Sequence, residues 1–290
     1  MTRSLSLALL ATGVLAGSAS AQLTAWGVTN DGRLVSFDTS APGVLLSDVA
    51  ISGLNTSELV RGIDARPASV TGDLVIVTSE NRLMSLGFDG TATAIGTGFT
   101  PAAATTNVGF DFNPTVDRIR FVGTDGFNRR LNPVNGANAA LDTALTYTDG
   151  PAIPRAVGTA YNSFQFGVGA PVGSIRQYII DSERDVLGEV GSQAGGNASF
   201  NGGIVTPRAN LLGFDLTDDA GFDVFGPTQM AFVSNLSGGV ATFYSLSLGS
   251  GIATSIGTVG AAITDFTVIP TPGAASLLGL GAIAAFRRRR

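Results

Sequence analysis

Cysteine, histidine and lysine are all missing from this chain of 290 residues. Without a thiol there is no disulfide framework, no thiolate nucleophile and no Cys/His zinc site. Without an imidazole or a primary side-chain amine there is no Ser-His-Asp triad, no Ser-Lys dyad and no Schiff base. Glutamate is scarce as well, being confined to Glu58, Glu80, Glu183 and Glu189. Acid–base chemistry near neutral pH would have to come from carboxyls retuned by burial. No helical periodicity stands out in the central region. The glycine pairs Gly96/Gly98 and Gly167/Gly169 do not lead from a strand into a helix, so no phosphate loop is expected.

What is present at the two ends reads as address rather than fold. Residues 1–21 have the three parts of a secretory signal peptide. Arg3 supplies the charge, Leu5 to Ala16 the apolar run, and Ala19-Ser20-Ala21 the small-residue cleavage site before Gln22. At residues 270–290, Pro270-Thr271-Pro272 precedes an apolar stretch from Gly273 to Phe286 and the basic cluster Arg287, Arg288, Arg289 and Arg290. Such a stretch is short beside the ~20 residues of a relaxed membrane span, and the arginines would hold its end in the cytoplasm. The tail resembles the PEP-CTERM sorting signal of Gram-negative bacteria, with Thr271 where the usual glutamate stands. That resemblance implies an exosortase-type processing enzyme as partner, with a plain tail anchor as the alternative. Both ends would form helices, one a signal and one an anchor.

Between them, residues 22–269 carry 12 arginines and 22 acids, a net charge of 12 − 22 = −10. An acidic surface repels nucleic acid and anionic lipid, so neither is expected as a partner, and the membrane is reached through the tail alone. This region is all-β in pattern. Short alternating strands are punctuated by Gly, Pro, Asn and Asp every 8–12 residues or so. In GFDFNPTVDRIRFVGTDGFNRRLNPVNG (109–136), Phe110 and Phe112 share one face of a strand, Ile119 and Phe121 one face of the next, and Asp125-Gly126 suits a tight hairpin. Looser copies recur about every 50 residues with four strands each, the signature of a β-propeller. Five units are expected, with six as the variant count. The last is expected to run through Leu211–Leu216, Gln229–Ser234, Ala241–Leu248 and Ile252–Ile256. Ala262–Ile269 has the look of a lone strand and Leu23–Phe37 of a hairpin lacking one, so their pairing would close the ring. A pair of β-sandwiches or a β-solenoid is the rival architecture.

The 109–136 stretch, followed by Leu141-Asp142, Leu145, Tyr147 and Ala160-Tyr161-Asn162, resembles the bacterial family catalogued as domain of unknown function 4394. The resemblance implies a secreted, propeller-like domain and carries no established activity, so it transfers no catalytic residue.

Two polar groups stand out as candidate sites. Asp111, Asn113, Asp117, Arg118, Arg120, Asp125, Asn128 and Arg129 form the densest polar cluster. Their arginine forks could read carboxylates or sugar hydroxyls. The same residues also suit Asx turns and a cross-strand pair of Asp117 with Arg118 or Arg120. Asp215, Asp218, Asp219 and Asp223 form an acidic run that reads as a hairpin. Its oxygen-only donors suit Ca²⁺, and a solvated acidic turn is the alternative. No other cofactor is expected. On these features the chain reads as an exported, non-enzymatic binding or structural module of the cell surface or exopolysaccharide matrix. A carboxylate-dependent polysaccharide hydrolase or lyase is the competing reading.

Overall fold

The computed structural model describes residues 23–69, 73–100, 107–162, 175–191 and 199–270. The expected signal peptide, with Ala19 and Ala21, and the tail from Thr271 and Pro272 through Arg290 lie outside the described residues. Among the described residues no helix is long and apolar enough to cross a membrane.

The strands fall into five sheets arranged as the blades of a propeller, antiparallel but for one short outer strand. Blade I holds β1 (Leu23–Thr29), β2 (Arg33–Asp38) and β3 (Leu45–Ala50); blade II holds β4 (Val60–Ala65), β5 (Leu74–Thr78), β6 (Leu83–Leu86) and β7 (Ala92–Ile95). Blade III follows with β8 (Val108–Asn113), β9 (Arg118–Gly123), β10 (Asn128–Leu131) and β11 (Asn138–Leu141). The next connection contributes β12 (Thr146–Tyr147). Blade IV comprises β13 (Ala156–Tyr161), β14 (Gln177–Asp181), β15 (Val186–Val190) and β16 (Ile204–Leu211), with β12 parallel to β16 at its outer edge. Blade V has β17 (Ala220–Phe225), β18 (Met230–Ser237), β19 (Val240–Leu246) and β20 (Ala253–Thr258). Finally β21 (Ile263–Pro270) returns to blade I and pairs antiparallel with β1, Trp26 facing Thr267 and Ala25 facing Val268. The expected closure is therefore present, and the ring has five blades.

Two boundaries differ from the sequence expectation. Blade V begins at Ala220, not at Leu211, and Leu211 ends the outer strand of blade IV with its side chain exposed. The apolar spacing of Leu212, Phe214 and Leu216 imitates a strand, yet Leu212 and Leu216 are buried in a connection packed between the two blades. The Asp125-Gly126 pair sits in a longer connection than a two-residue hairpin. Gly126 donates its N–H to the Gly123 carbonyl at 2.9 Å and is itself left-handed, with φ 79°. A turn closed by a left-handed glycine is the three-residue alternative to the two-residue loop.

The core is divided among the interfaces between blades rather than gathered in one place. Phe37, Phe243 and Phe266 join blades I and V. Val157, Leu187, Phe222 and Val233 join IV and V. Ile63, Ile76 and Leu34 join I and II, and Val77, Phe110 and Phe121 join II and III. A smaller group around Val122, Tyr147 and Ile179 joins III and IV. The inner part of each sheet thus buries both faces, which is why strands such as β5, β13 and β15 are buried at every position without alternation. The innermost strands β4, β8, β13, β17 and β21 pack in succession around the axis.

Candidate metal centre

The five inner strands place matching positions at the same depth along the axis. Four share a glycine, then a residue, then the axial position: Gly62-Ile63-Asp64, Gly109-Phe110-Asp111, Gly158-Thr159-Ala160 and Gly221-Phe222-Asp223. In β21 the equivalent run is Asp265-Phe266-Thr267. The glycine is a requirement of packing. A Cβ at Gly109 would lie 2.6 Å from the backbone of Gly158 and Thr159, and one at Gly62 would lie 2.6 Å from Cβ of Phe110. Strands approach this closely only where a side chain is missing.

At the axial position each polar side chain accepts a backbone N–H from the next blade. Asp64 Oδ2 accepts from Phe112 at 2.7 Å, Asp111 Oδ2 from Tyr161 at 2.9 Å, and Asp223 Oδ2 from Val268 at 2.5 Å. Thr267 Oγ1 completes the turn of the ring, accepting from Ala65 at 3.3 Å. Ala160 has no acceptor to offer, and the Val224 N–H that would face it donates to Asp223 Oδ1 at 2.6 Å. Thr267 Oγ1, with one hydrogen to donate, lies 2.8 Å from Asp64 Oδ1 and 3.2 Å from Asp223 Oδ2. Two residues back along β21, Asp265 Oδ2 accepts the Ile63 N–H at 2.8 Å.

Three carboxylates from three blades therefore meet. Asp64, Asp111 and Asp223 are all buried, and one oxygen of each lies within 4.8 Å of the others. Among the described residues no arginine forms an ion pair with any of them or with Asp265. Burial, reinforced by the charge of Asp223, pushes Asp64 up to about 8. Burial likewise pushes Asp223 up to about 6, and raises Asp111 and Asp265 well above the ordinary carboxylate range. Such a group has two ways to relieve its charge, by holding protons or by holding a cation. The donors fit a hard cation. They are all oxygen, and the spread of 4.8 Å is about twice the 2.3–2.6 Å Ca–O distance.

The residues singled out in the sequence are distributed differently. Asp111 and Asp223 are at the axis; Asp64, Asp265 and Thr267 complete the site and were not singled out. For Asp64 the visible signal was the glycine two residues ahead of it, Gly62. Asp218 is held by Arg155 and accepts from Ser182 Oγ at 2.7 Å, while Asp219 accepts from Asn107 at 3.1 Å. These two and Asp215 lie in the connection that leads into β17, not in a hairpin.

Of the other cluster, Asn113 caps its own turn by accepting the Thr115 N–H at 3.0 Å, and Asp125 accepts that of Phe127 at 3.2 Å. Asp117 pairs with Arg66 of blade II rather than across its own hairpin. Arg118 donates to the Asp117 carbonyl at 2.8 Å, and the Arg129 guanidinium lies 4.8 Å from the centre of the Phe127 ring. Arg120 is 1% exposed. Its fork reaches Tyr161 Oη at 3.1 Å, Asn128 Oδ1 at 2.7 Å, Asp142 Oδ2 at 2.8 Å and Asn201 Oδ1 at 2.9 Å. Those partners belong to blades III and IV and the connections beside them, and they reinforce the interface with the smallest apolar group. Arg120→Ala should lower the unfolding free energy by about 3 kcal/mol, because it strands several buried acceptors. A urea titration gives the value, and a loss below about 1 kcal/mol would show the network to be dispensable.

Comparison with the curated proteins found no match. Among solved structures, one described as "Structure of Dos1 propeller" is similar at 12% identity and a TM-score of 0.40, over 80% of this chain and 58% of that one. Another, "Dihydro-heme d1 dehydrogenase NirN in complex with DHE", is similar at 11% identity and a TM-score of 0.35, over 85% of this chain and 46% of the other. This chain thus spans about half the length of the structures it matches. The family model described as Domain of unknown function (DUF4394) matches residues 33–267, from β2 of blade I round to the strand that closes it, and the chain belongs to that family.

Proposed function

We propose that this propeller is an exported, non-enzymatic binding or structural module of the cell surface or exopolysaccharide matrix, with a divalent cation, Ca²⁺, held at its axis. The observation that carries the proposal is the burial of Asp64, Asp111 and Asp223 together. A glycosidase sets two carboxyls about 5–9.5 Å apart on either side of a bond that must reach them. Here the carboxyls are anchored to backbone N–H groups of neighbouring blades and lie buried inside the ring, where no such bond reaches them. Such an arrangement ties blades to one another. In the holo state Asp64, Asp111, Asp223 and Thr267 Oγ1 would hold the cation, which supplies the positive charge the protein does not.

Export rests on the pattern of residues 1–21, and sorting through an exosortase-type enzyme on Pro270-Thr271-Pro272 and the terminal arginines. An acidic domain with no histidine, lysine or cysteine is poorly equipped for hydrolysis and adequately equipped for display. The test is a panel of extracellular polysaccharides scored for retention and for reducing-end release. Retention without release is the expected result. Release that disappears in Asp111→Asn would overturn the proposal in favour of the hydrolase or lyase.

A further inference from the structure

One end of the propeller axis opens into a cavity of about 140 Å³. It is built where β4, β8, β17 and β21 begin, three residues before the axial positions, or roughly 10 Å along a strand. Arg61, Asn107, Asp218, Asp219 and Thr264 line it, together with Asn30 from the β1–β2 turn, and aliphatic side chains complete the wall.

The chemistry of this lining is mixed in a specific way. Arg61 only donates hydrogen bonds, the two aspartates only accept, and the asparagines and the threonine do both. Charge is balanced as well. Asp218 is matched by Arg155, which donates to it through Nε at 2.8 Å, and Asp219 faces the charge of Arg61. A charged ligand gains little in a balanced mouth, and the net −10 of the surrounding domain disfavours polyanions further. A ligand that offers donors and acceptors on adjacent atoms, carries no charge and is small answers all three conditions. At ~30 Å³ for each water, the space holds the equivalent of between four and five waters, enough for part of one sugar ring.

The geometry points to this mouth as a binding site for a neutral polyhydroxyl group, the terminal unit of an uncharged glycan. Vicinal hydroxyls would bridge Arg61 to Asp219, with Asn30, Asn107 and Thr264 at the rim. This deepens the binding role proposed above and rests on it.

The probes are methyl glucoside, methyl galactoside and glycerol, with sodium acetate and methylammonium chloride as charged counterparts, each titrated into the protein by NMR or calorimetry. Saturable binding of a methyl glycoside is expected, weakened roughly three- to tenfold or more by Arg61→Gln. Because Arg61 is partly buried in β4, Asn30→Ala in an exposed turn provides a second variant that leaves the strands untouched, with a weakening of similar size expected. The inference is overturned if no neutral probe saturates, if acetate or methylammonium binds in preference, or if both variants bind like the wild type. Polysaccharide retention that persists when no methyl glycoside binds would defeat this inference and leave the broader binding role standing.

Discussion

Removal of Ile263–Pro270 is expected to abolish the single cooperative unfolding transition of the whole propeller. The strand does three things at once. It covers the free edge of β1, contributes Ile263, Phe266 and Val268 to the interface of blades I and V, and carries the axial links of Asp265 to Ile63 and of Val268 to Asp223. Each blade leans on its neighbours, so opening one interface weakens those on both sides. A milder version of the same test is Phe243→Ala. Its ring, fully buried, lies 5.1 Å from that of Phe37, 5.3 Å from Phe232 and 5.0 Å from Phe266, centre to centre. Truncating it should cost about 3–5 kcal/mol through the lost burial and the cavity left behind. Differential scanning calorimetry checks both variants. A truncated chain that still melts in one sharp step near the wild-type temperature would show that closure is not what holds the ring.

The second large effect concerns pH. In chelator, stability is expected to fall as pH rises from about 4 towards 8. Carboxyls raised in the folded state bind more protons there than in the unfolded chain, so ν_N exceeds ν_U and unfolding becomes easier with increasing pH. The window opens near the unfolded aspartate value of about 3.9. It closes near 6 for Asp223 and near 8 for Asp64. Each group contributes a slope of at most about 1.4 kcal/mol per pH unit across its window. Asp111 and Asp265 act in the same direction, and with Thr267 they are the polar groups facing the pair from β8 and β21. Glu58 and Asp218, lowered chiefly by hydrogen bonds from Arg82 and Arg155 once the opposing effect of burial is overcome, act in the opposite direction in more acidic solution. Saturating Ca²⁺ should flatten the profile above pH 6, because the cation replaces the protons. Urea midpoints at pH 5 and pH 8, each with and without the ion, decide it. A chelated protein equally stable at both values would contradict the account of the axial carboxyls.

Much of this architecture was legible in the sequence because propeller strands near the axis are ended by strong punctuation. Asn113-Pro114 and Arg66-Pro67 each close an inner strand, and the lone segment ending at Pro270 could be matched to a hairpin that lacked a partner; β17, though closed by Gly226-Pro227, was missed because Leu211–Leu216 imitated it. Blade IV was harder. Its outer strand, Ile204–Leu211, contains Pro207 and is mostly half-exposed, so its pattern neither alternates nor reads as core. The axial site was nearly hidden for a different reason. Gly-Phe-Asp occurs at 87–89, 109–111, 213–215 and 221–223. Two copies are axial and two lie in turns or connections, where Asp89, for example, accepts the Thr91 N–H at 3.0 Å. The tripeptide alone does not distinguish them, since what buries a carboxylate is the strand of the next blade, some 50 residues on. Asp64, preceded by isoleucine, and Asp265, standing in the glycine position, fall outside the pattern altogether. In Asp215–Asp223 the acidic run crosses from a connection into an inner strand, so adjacency in sequence joined residues that the fold separates.

The central claim is that the axial carboxylates hold a divalent cation, and calorimetric titration of metal-stripped protein with CaCl₂ at pH 8 tests it most directly. The account predicts one Ca²⁺ per chain, with binding lost in Asp64→Asn and in Asp223→Asn while both variants stay folded in chelator. It also predicts that Asp64→Asn will be more stable than the wild type in chelator at that pH, because the substitution removes a buried charge. Absence of binding by the wild type, or binding that survives both substitutions, would contradict it.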